Sequence, residues 1–343
     1  MTVTPVRSNA SSVTRVPDAV VDMITGFRRP IVVAHVVPDA DALGAMLGIA
    51  RAWASADRRP VASVPPGSVS SRLAFLLDWA GVPVATEADF DAADGFVVVD
   101  TAKPGRCNVG EARKATDWIS GRPVVNIDHH ATNTRFGDAD WVVADASSSC
   151  ELAYYLIKQA GCPITPPTAS LLFAGILADT VGFSLPTTSA SALRAASELV
   201  DLGAAAGELG ERVYRSQRPS EFDLLRIIYA NTNVLADGRL AYSFATYDEI
   251  RRAGCTAADI DDQINIPRSL EGVVLAMLFT EGHRGKTRIN FRSAGPVTVV
   301  ELAAQFRGGG HAQAAGAVLD CPAREAVDTV VPQAVAYLQR FSV

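Results

Sequence analysis

Apolar positions along the 343-residue chain fall into two patterns, short unbroken runs and longer stretches repeating at helical spacing. The first run, IVVA at 31–34, opens behind Pro30, and the apolar residues after Asp41 recur every three or four positions, as a helix requires. Further runs stand at 61–64, 95–99, 123–127 and 141–144, with helical patterns at 17–28, 70–80 and 169–178. Apolar strands alternating with helices predict a parallel sheet covered on both faces. Residues 1–16 are polar and are expected to form a flexible arm.

The pattern changes after residue 190. A helical stretch rich in Ala, Glu and Arg runs from 190 and loses apolar residues towards Arg218-Pro219. This reading gives a domain over 1–208, a linker over 209–222 and a second domain over 223–343. The second domain shows strands at 240–245, 272–280, 286–292 and 312–319 and a helix at 299–306, which predicts a mixed sheet. The expected fold class is α/β, an N-terminal parallel-sheet domain with helices on both faces linked to a smaller α/β mixed-sheet domain.

Composition narrows the function classes. With 48% hydrophobic and 20% charged residues the chain is ordinary for a globular protein. A net charge of −6 provides no basic field for gripping a long polyanion, so any nucleic-acid substrate should be short. Five scattered cysteines without a C-x-x-C pair fit reduced thiols in a cytoplasmic protein. The N-terminal stretch has no apolar core of a secretory signal. The most apolar helical run, 171–178, is far short of the roughly 20 residues that span a bilayer, so no membrane partner is expected.

The chemistry sits at strand ends. His35, Asp39 and Asp41 form H-x-x-x-D-x-D directly after the first strand. One imidazole with two carboxylates suits Mn²⁺, Zn²⁺ or Fe²⁺ better than Ca²⁺, although Asp also caps helices and Pro-Asp makes turns. The strand at 95–99 ends in Asp100, and that at 123–127 empties into Asp128-His129-His130. Parallel strands point one way, so these groups should gather along one sheet edge. Asp179 closes the helical run at 169–178, where the macrodipole opposes an acid unless a cation holds it.

Four of the five histidines lie in such motifs. His283, in a turn between two strands, is expected to face solvent. His311 follows Gly308-Gly309-Gly310, whose backbone N–H groups could approach an anion closely; a glycine C-cap is the alternative, but one glycine would suffice for it, so three followed by histidine favour an anion loop. Arg292 is a candidate for bidentate phosphate contact, with Ser293 beside it. Asn265 and Arg268 in INIPRS are further polar candidates that a loop around Pro267 explains equally.

Together these motifs resemble the DHH phosphoesterase superfamily, and most closely its two-domain nanoRNase type, the bifunctional oligoribonucleases and pAp phosphatases with a RecJ-like core. The resemblance covers nearly the whole chain. It departs from the family's pattern at Ala40, where a glycine is usual, and at Arg307, which precedes the glycines where a further glycine is common. It implies two divalent ions, Mn²⁺ first, with His35, Asp39 and Asp100 holding one and Asp41, Asp100, His129 and Asp179 the other. It also implies His130 as the phosphate-contacting catalytic group, Asp128 orienting the histidines, and a second domain that holds the substrate through Arg292, Ser293, Gly308, Gly309, Gly310 and His311; Asn265 and Arg268 stay candidates from the residues alone.

The implied activity is hydrolysis of very short RNA to mononucleotides and removal of the 3′-phosphate of pAp. Alternatives are a phosphodiesterase of cyclic or linear signalling dinucleotides and a non-catalytic nucleotide-binding regulator. The implied partners are short RNA or small nucleotides, with no long nucleic acid; a homodimer is compatible with the sequence.

Overall fold

In the computed structural model each apolar run of the N-terminal half becomes a strand of one parallel sheet. The structure describes residues 13–70, 72–110, 117–119, 121–216, 218–256, 259–310 and 312–341. The chain divides into two compact units, Met1–Ser216 and Gln217–Val343.

The first unit runs α1 Asp18–Gly26, β1 Pro30–Val33, α2 Ala40–Trp53, β2 Val61–Ala62, α3 Ala74–Ala80, α4 Glu87–Ala92, β3 Gly95–Val99, β4 Val124–Asp128 and β5 Ala139–Val142. Helices α5 Ser149–Gln159, α6 Pro166–Asp179, α7 Ala190–Asp201 and α8 Ala206–Tyr214 complete it. Strand order is β2-β1-β3-β4-β5, all pairs parallel. Alternation along each strand buries both faces: Ile31, Val33, Phe96 and Val98 join one core, Val32, Val97, Val99 and Val125 the other. The order reverses between β1 and β3, and such a switch point opens a crevice at the carboxyl ends of the strands.

One expectation needs correction. The arm expected over 1–16 is anchored where it is described: Val13 and Val16 are buried, and the Gln159 amide bonds both the N–H and the carbonyl of Val16. The stretch read as helix running into linker is largely helical, covered by α8 and by α9 Pro219–Ala230. Helix α8 buries only Leu209 and Val213. Its polar positions pair as Glu208–Arg212 and Glu211–Arg215, i,i+4 pairs that support a helix without adding apolar residues.

The second unit follows α9 with β6 Asn233–Leu235, β7 Leu240–Ala245, α10 Tyr247–Arg252, the single turn α11 Asn265–Arg268, β8 Leu275–His283 and β9 Lys286–Ser293. It ends with α12 Val300–Gln305, β10 Gly309–Gly310, β11 Ala314–Leu319 and α13 Ala323–Leu338. Its sheet, β10-β11-β9-β8-β7-β6, is mixed, with β7 and β8 parallel and the other pairs antiparallel. Among the described residues no helix is long and apolar enough to cross a membrane.

Candidate metal centre

The switch point carries the acids and imidazoles that the sequence places at strand ends. His35 lies two residues beyond β1, in a segment pinned by the Val36 N–H donating to the Arg106 carbonyl at 2.8 Å. Asp39 is the N-cap of α2, its Oδ1 accepting the N–H groups of Asp41 and Ala42 at 3.0 Å each. Its second oxygen, Oδ2, faces His35 Nε2 at 4.0 Å. Capping and site-building are therefore divided between two oxygens of one carboxylate. Ala40 sits in the first helical turn at a negative φ, so the position makes no demand for glycine.

Asp41 is buried beneath the N-terminus of α5. Its Oδ2 accepts Ser149 N–H at 2.7 Å and its Oδ1 accepts Cys150 N–H at 2.9 Å, donors that a helix N-terminus leaves unused. Asp100 follows β3 with φ +50°, a left-handed conformation that costs a non-glycine residue free energy and recurs at functional sites. The turn aims its two oxygens differently. Oδ2 lies 3.3 Å from His35 Nε2, while Oδ1 lies 3.4 Å from His129 Nε2 and accepts the Ser149 hydroxyl at 3.0 Å.

His129 Nε2 also stands 3.5 Å from Asp179 Oδ2 and 3.9 Å from Asp41 Oδ2. Asp179 is the last residue of α6, the end where the dipole disfavours an anion. His35 and His129 turn Nδ1 towards the carbonyls of Val36 (2.9 Å) and Ala146 (3.4 Å), leaving Nε2 for the centre. His130 is oriented the other way: its Nδ1 meets Asp128 Oδ1 at 2.7 Å.

The electrostatics are those of a crowded acid cluster. Burial pushes the Asp41 carboxyl well above its ordinary range, and the charges of Asp100 and Asp179 add to it. Asp179 is raised to about 7 by burial and by Asp39 and Asp100, against the opposing His129. Burial would raise Asp100 too, but hydrogen bonds from His129 and His35 hold it well below the usual range. Burial would lower His35, yet the Asp100 hydrogen bond and the charges of Asp39 and Asp100 carry it to about 9. His129 is raised well above its ordinary value by the same opposition, with Asp100, Asp179 and Asp41 outweighing burial.

The donor set fits divalent metal. Among the described residues, three groups have ligand atoms within 4.8 Å of one another: His35, Asp39 and Asp100; Asp41, His129 and Asp179; and Asp100, His129 and His130. Mixed imidazole and carboxylate donors suit Mn²⁺, Zn²⁺ or Fe²⁺. Asp128, grouped with the catalytic residues from sequence, is fully buried and serves the histidines: its Oδ1 accepts His129 N–H, His130 N–H and His130 Nδ1. Sequence reading passed over Ser149, Cys150 and Asn133. The serine run 147–149 ahead of a helical pattern is an N-cap signature and was the available signal for the first two.

The second unit treats its candidates unequally. Arg292 is half-buried on β9, its Nη1 donating to the Phe291 carbonyl at 3.1 Å. Ser293 differs from expectation: it is buried, and its hydroxyl donates to Val297 O at 2.6 Å, which closes the turn after β9. Asn265 is exposed, and Arg268 donates to Val273 O at 3.5 Å. His283 is exposed, as read.

The glycine run has structural duties. Arg307, at φ +57°, is the left-handed residue ending α12, with Arg307 N–H on Ala304 O at 3.1 Å and Gly308 N–H on Ala303 O at 2.9 Å, the Schellman pattern. The cap is thus made by arginine, leaving the glycines other work. A Cβ on Gly308 would stand 2.2 Å from Gly316 O, and one on Gly310 2.5 Å from Ala314 O, whereas Gly309 meets nothing within 4 Å. Close approach to β11 accounts for Gly308 and Gly310; only Gly309 keeps an open face. His311 lies outside the described residues.

Comparison with known proteins agrees with this architecture. Residues 29–176 match the DHH family, N-terminal domain, and residues 237–339 match the DHHA1 domain. The chain is 30% identical over 314 residues to the bifunctional oligoribonuclease and PAP phosphatase NrnA of Thermus thermophilus, covering 88% of this chain and 87% of the relative. The Bacillus subtilis protein of the same name is 29% identical over 289 residues, 82% and 87% of the two chains. The crystal structure of an exopolyphosphatase-related protein from Bacteroides fragilis superposes with a TM-score of 0.85 at 25% identity, over 94% of this chain and 97% of that one.

Proposed function

The chain belongs to the DHH family of phosphoesterases, and from that premise we propose that it hydrolyses very short RNA to mononucleotides and removes the 3′-phosphate of pAp. The observation that carries the reading is Asp100, whose two oxygens face different histidines, His35 and His129, each with its own acids. In this reading His35, Asp39 and Asp100 hold one divalent ion and Asp41, Asp100, His129 and Asp179 the other, Mn²⁺ being the first choice. Paired ions supply Lewis-acid polarisation of the phosphoryl group and an activated water at neutral pH.

The protein's own groups do the rest. Asp100 is presented by its left-handed turn with one oxygen towards His35 and the other towards His129, so it would serve both ions. His130 keeps Nδ1 on Asp128, and Nε2 is the atom proposed to meet a phosphoryl oxygen; the Asp128 hydrogen bond raises its basicity against burial and favours the charged donor that a developing negative charge needs. Asp128 is a positioning residue. In the second unit Arg292, Gly309, Asn265 and Arg268 are the proposed substrate contacts, and His311 is proposed with them from its place in the sequence after the glycines. The names of the NrnA relatives support the substrate class, and the net charge of −6 favours a short substrate over a long polyanion.

The test is turnover of a diribonucleotide and of pAp with excess Mn²⁺, with a cyclic dinucleotide in parallel. Mononucleotide from the first and phosphate from the second are expected. Failure on both defeats the proposal, and preferential cleavage of the cyclic substrate would move the enzyme to signalling dinucleotides.

A further inference from the structure

Asp128 is fully buried, and its oxygens are supplied unevenly. Oδ1 accepts His129 N–H at 2.9 Å, His130 N–H at 3.2 Å and His130 Nδ1 at 2.7 Å. Among the described residues Oδ2 has one donor, the amide of Asn133 at 2.6 Å. The same Nδ2 lies 2.8 Å from Asn126 Oδ1 and 3.2 Å from the carbonyl of Thr101, while Asn133 Oδ1 accepts Arg135 N–H at 2.6 Å. The amide cannot be reversed, because a flip would put its oxygen among three acceptors and its NH₂ against a donor.

The partners of this amide span both strand ends. Asn126 and Asp128 belong to β4, and Thr101 directly follows Asp100 in its left-handed turn. Asn126 Nδ2 closes the link by donating to Thr101 O at 3.3 Å and Val98 O at 3.4 Å. We propose that Asn133 is a positioning residue for the reaction, an amide clip that fixes the Asp128 carboxylate so that His130 directs Nε2 to the substrate, and that ties this pair to the Asp100 turn. The reaction assigned to it rests on the reading above. Losing the clip leaves Oδ2 buried without a donor, and the carboxylate then turns away from His130 to find one.

The experiment compares Asn133→Ala and the isosteric Asn133→Asp with wild type by kinetics on a diribonucleotide, Mn²⁺ titration, and the downfield NMR resonance of the His130 Nδ1 proton, assigned by its absence in His130→Ala. Expected are a kcat lowered about 10–100-fold with KM within about threefold, wild-type Mn²⁺ stoichiometry, and loss or displacement of the resonance in both variants. Asn133→Asp keeps the shape and the acceptor for Arg135, so it reports even if the alanine variant does not fold. Wild-type kcat with an intact resonance in either variant overturns the proposal. A wild type that cleaves no nucleotide counts against the substrate reading alone, and the resonance still decides the role of Asn133.

Discussion

The carboxylate of Asp41 fills the space that a side chain at Gly175 would need: a Cβ there would lie 2.8 Å from Asp41 Oδ1 and 2.2 Å from Cys150 Sγ. Glycine inside a helix ordinarily costs about 0.5–1 kcal/mol relative to alanine, so Gly175→Ala would stabilise α6 if the space were free. Here overpacking should win, lowering stability by about 1–3 kcal/mol and displacing Asp41. Thermal melts and Mn²⁺ titration should show both losses together. A variant at least as stable as wild type would mean that the contact yields at little cost.

Asp100 should be the most costly carboxylate to neutralise. Asn tolerates the left-handed region better than most residues, so Asp100→Asn keeps φ +50° and removes only the charge. If the carboxylate is shared by two ions, about 4 kcal/mol of transition-state stabilisation should disappear, or about 10³-fold in kcat, with a wild-type circular dichroism spectrum. Retention of more than a tenth of wild-type kcat would rule out a bridging role.

How much of this centre was legible depended on whether a residue's partner was local. An apolar run ending in an acid announces itself, which is why His35, Asp100 and the Asp128–His130 triplet could be placed on one sheet edge. Ser149 could not, since the oxygen it serves on Asp100 lies 49 residues away and its local pattern reads only as a cap. The stretch holding α8 reads as helix fading into linker because its buried stripe, Leu209 and Val213, is narrow. The glycines at 308–310 drew attention as an anion loop, yet two of them are required by the close passage of β11, a contact that sequence spacing does not contain. The left-handed cap, where glycine is the usual residue, belongs to Arg307.

Arg307→Gly should therefore stabilise the second unit. Left-handed backbone costs an L residue about 1–2 kcal/mol, whereas glycine adds about 0.5–1 kcal/mol of unfolded-state entropy that folding must overcome. The balance favours glycine by up to about 1.5 kcal/mol, visible as a raised urea midpoint with an unchanged slope. A lowered midpoint would show that the arginine side chain contributes more than its backbone loses.

Proton release should accompany metal binding, and its direction follows from the cluster. In the metal-free protein His35 is carried from 6.5 to about 9 and Asp179 from 3.8 to about 7. Both folded values lie above the unfolded ones, so each group contributes stability that is complete below its unfolded value and lost as pH rises through its folded one. The metal-free protein should then weaken between about pH 6 and pH 9. Metal requires neutral imidazole and ionised carboxylate, so Mn²⁺ should bind more tightly across the same interval and restore more stability at pH 8.5 than at pH 6. Asp100, held low, stays ionised throughout and does not reverse the trend. Calorimetric titration in two buffers of unlike ionisation enthalpy at pH 7 should report protons released on binding; equal heats in both would show that the cluster is already deprotonated.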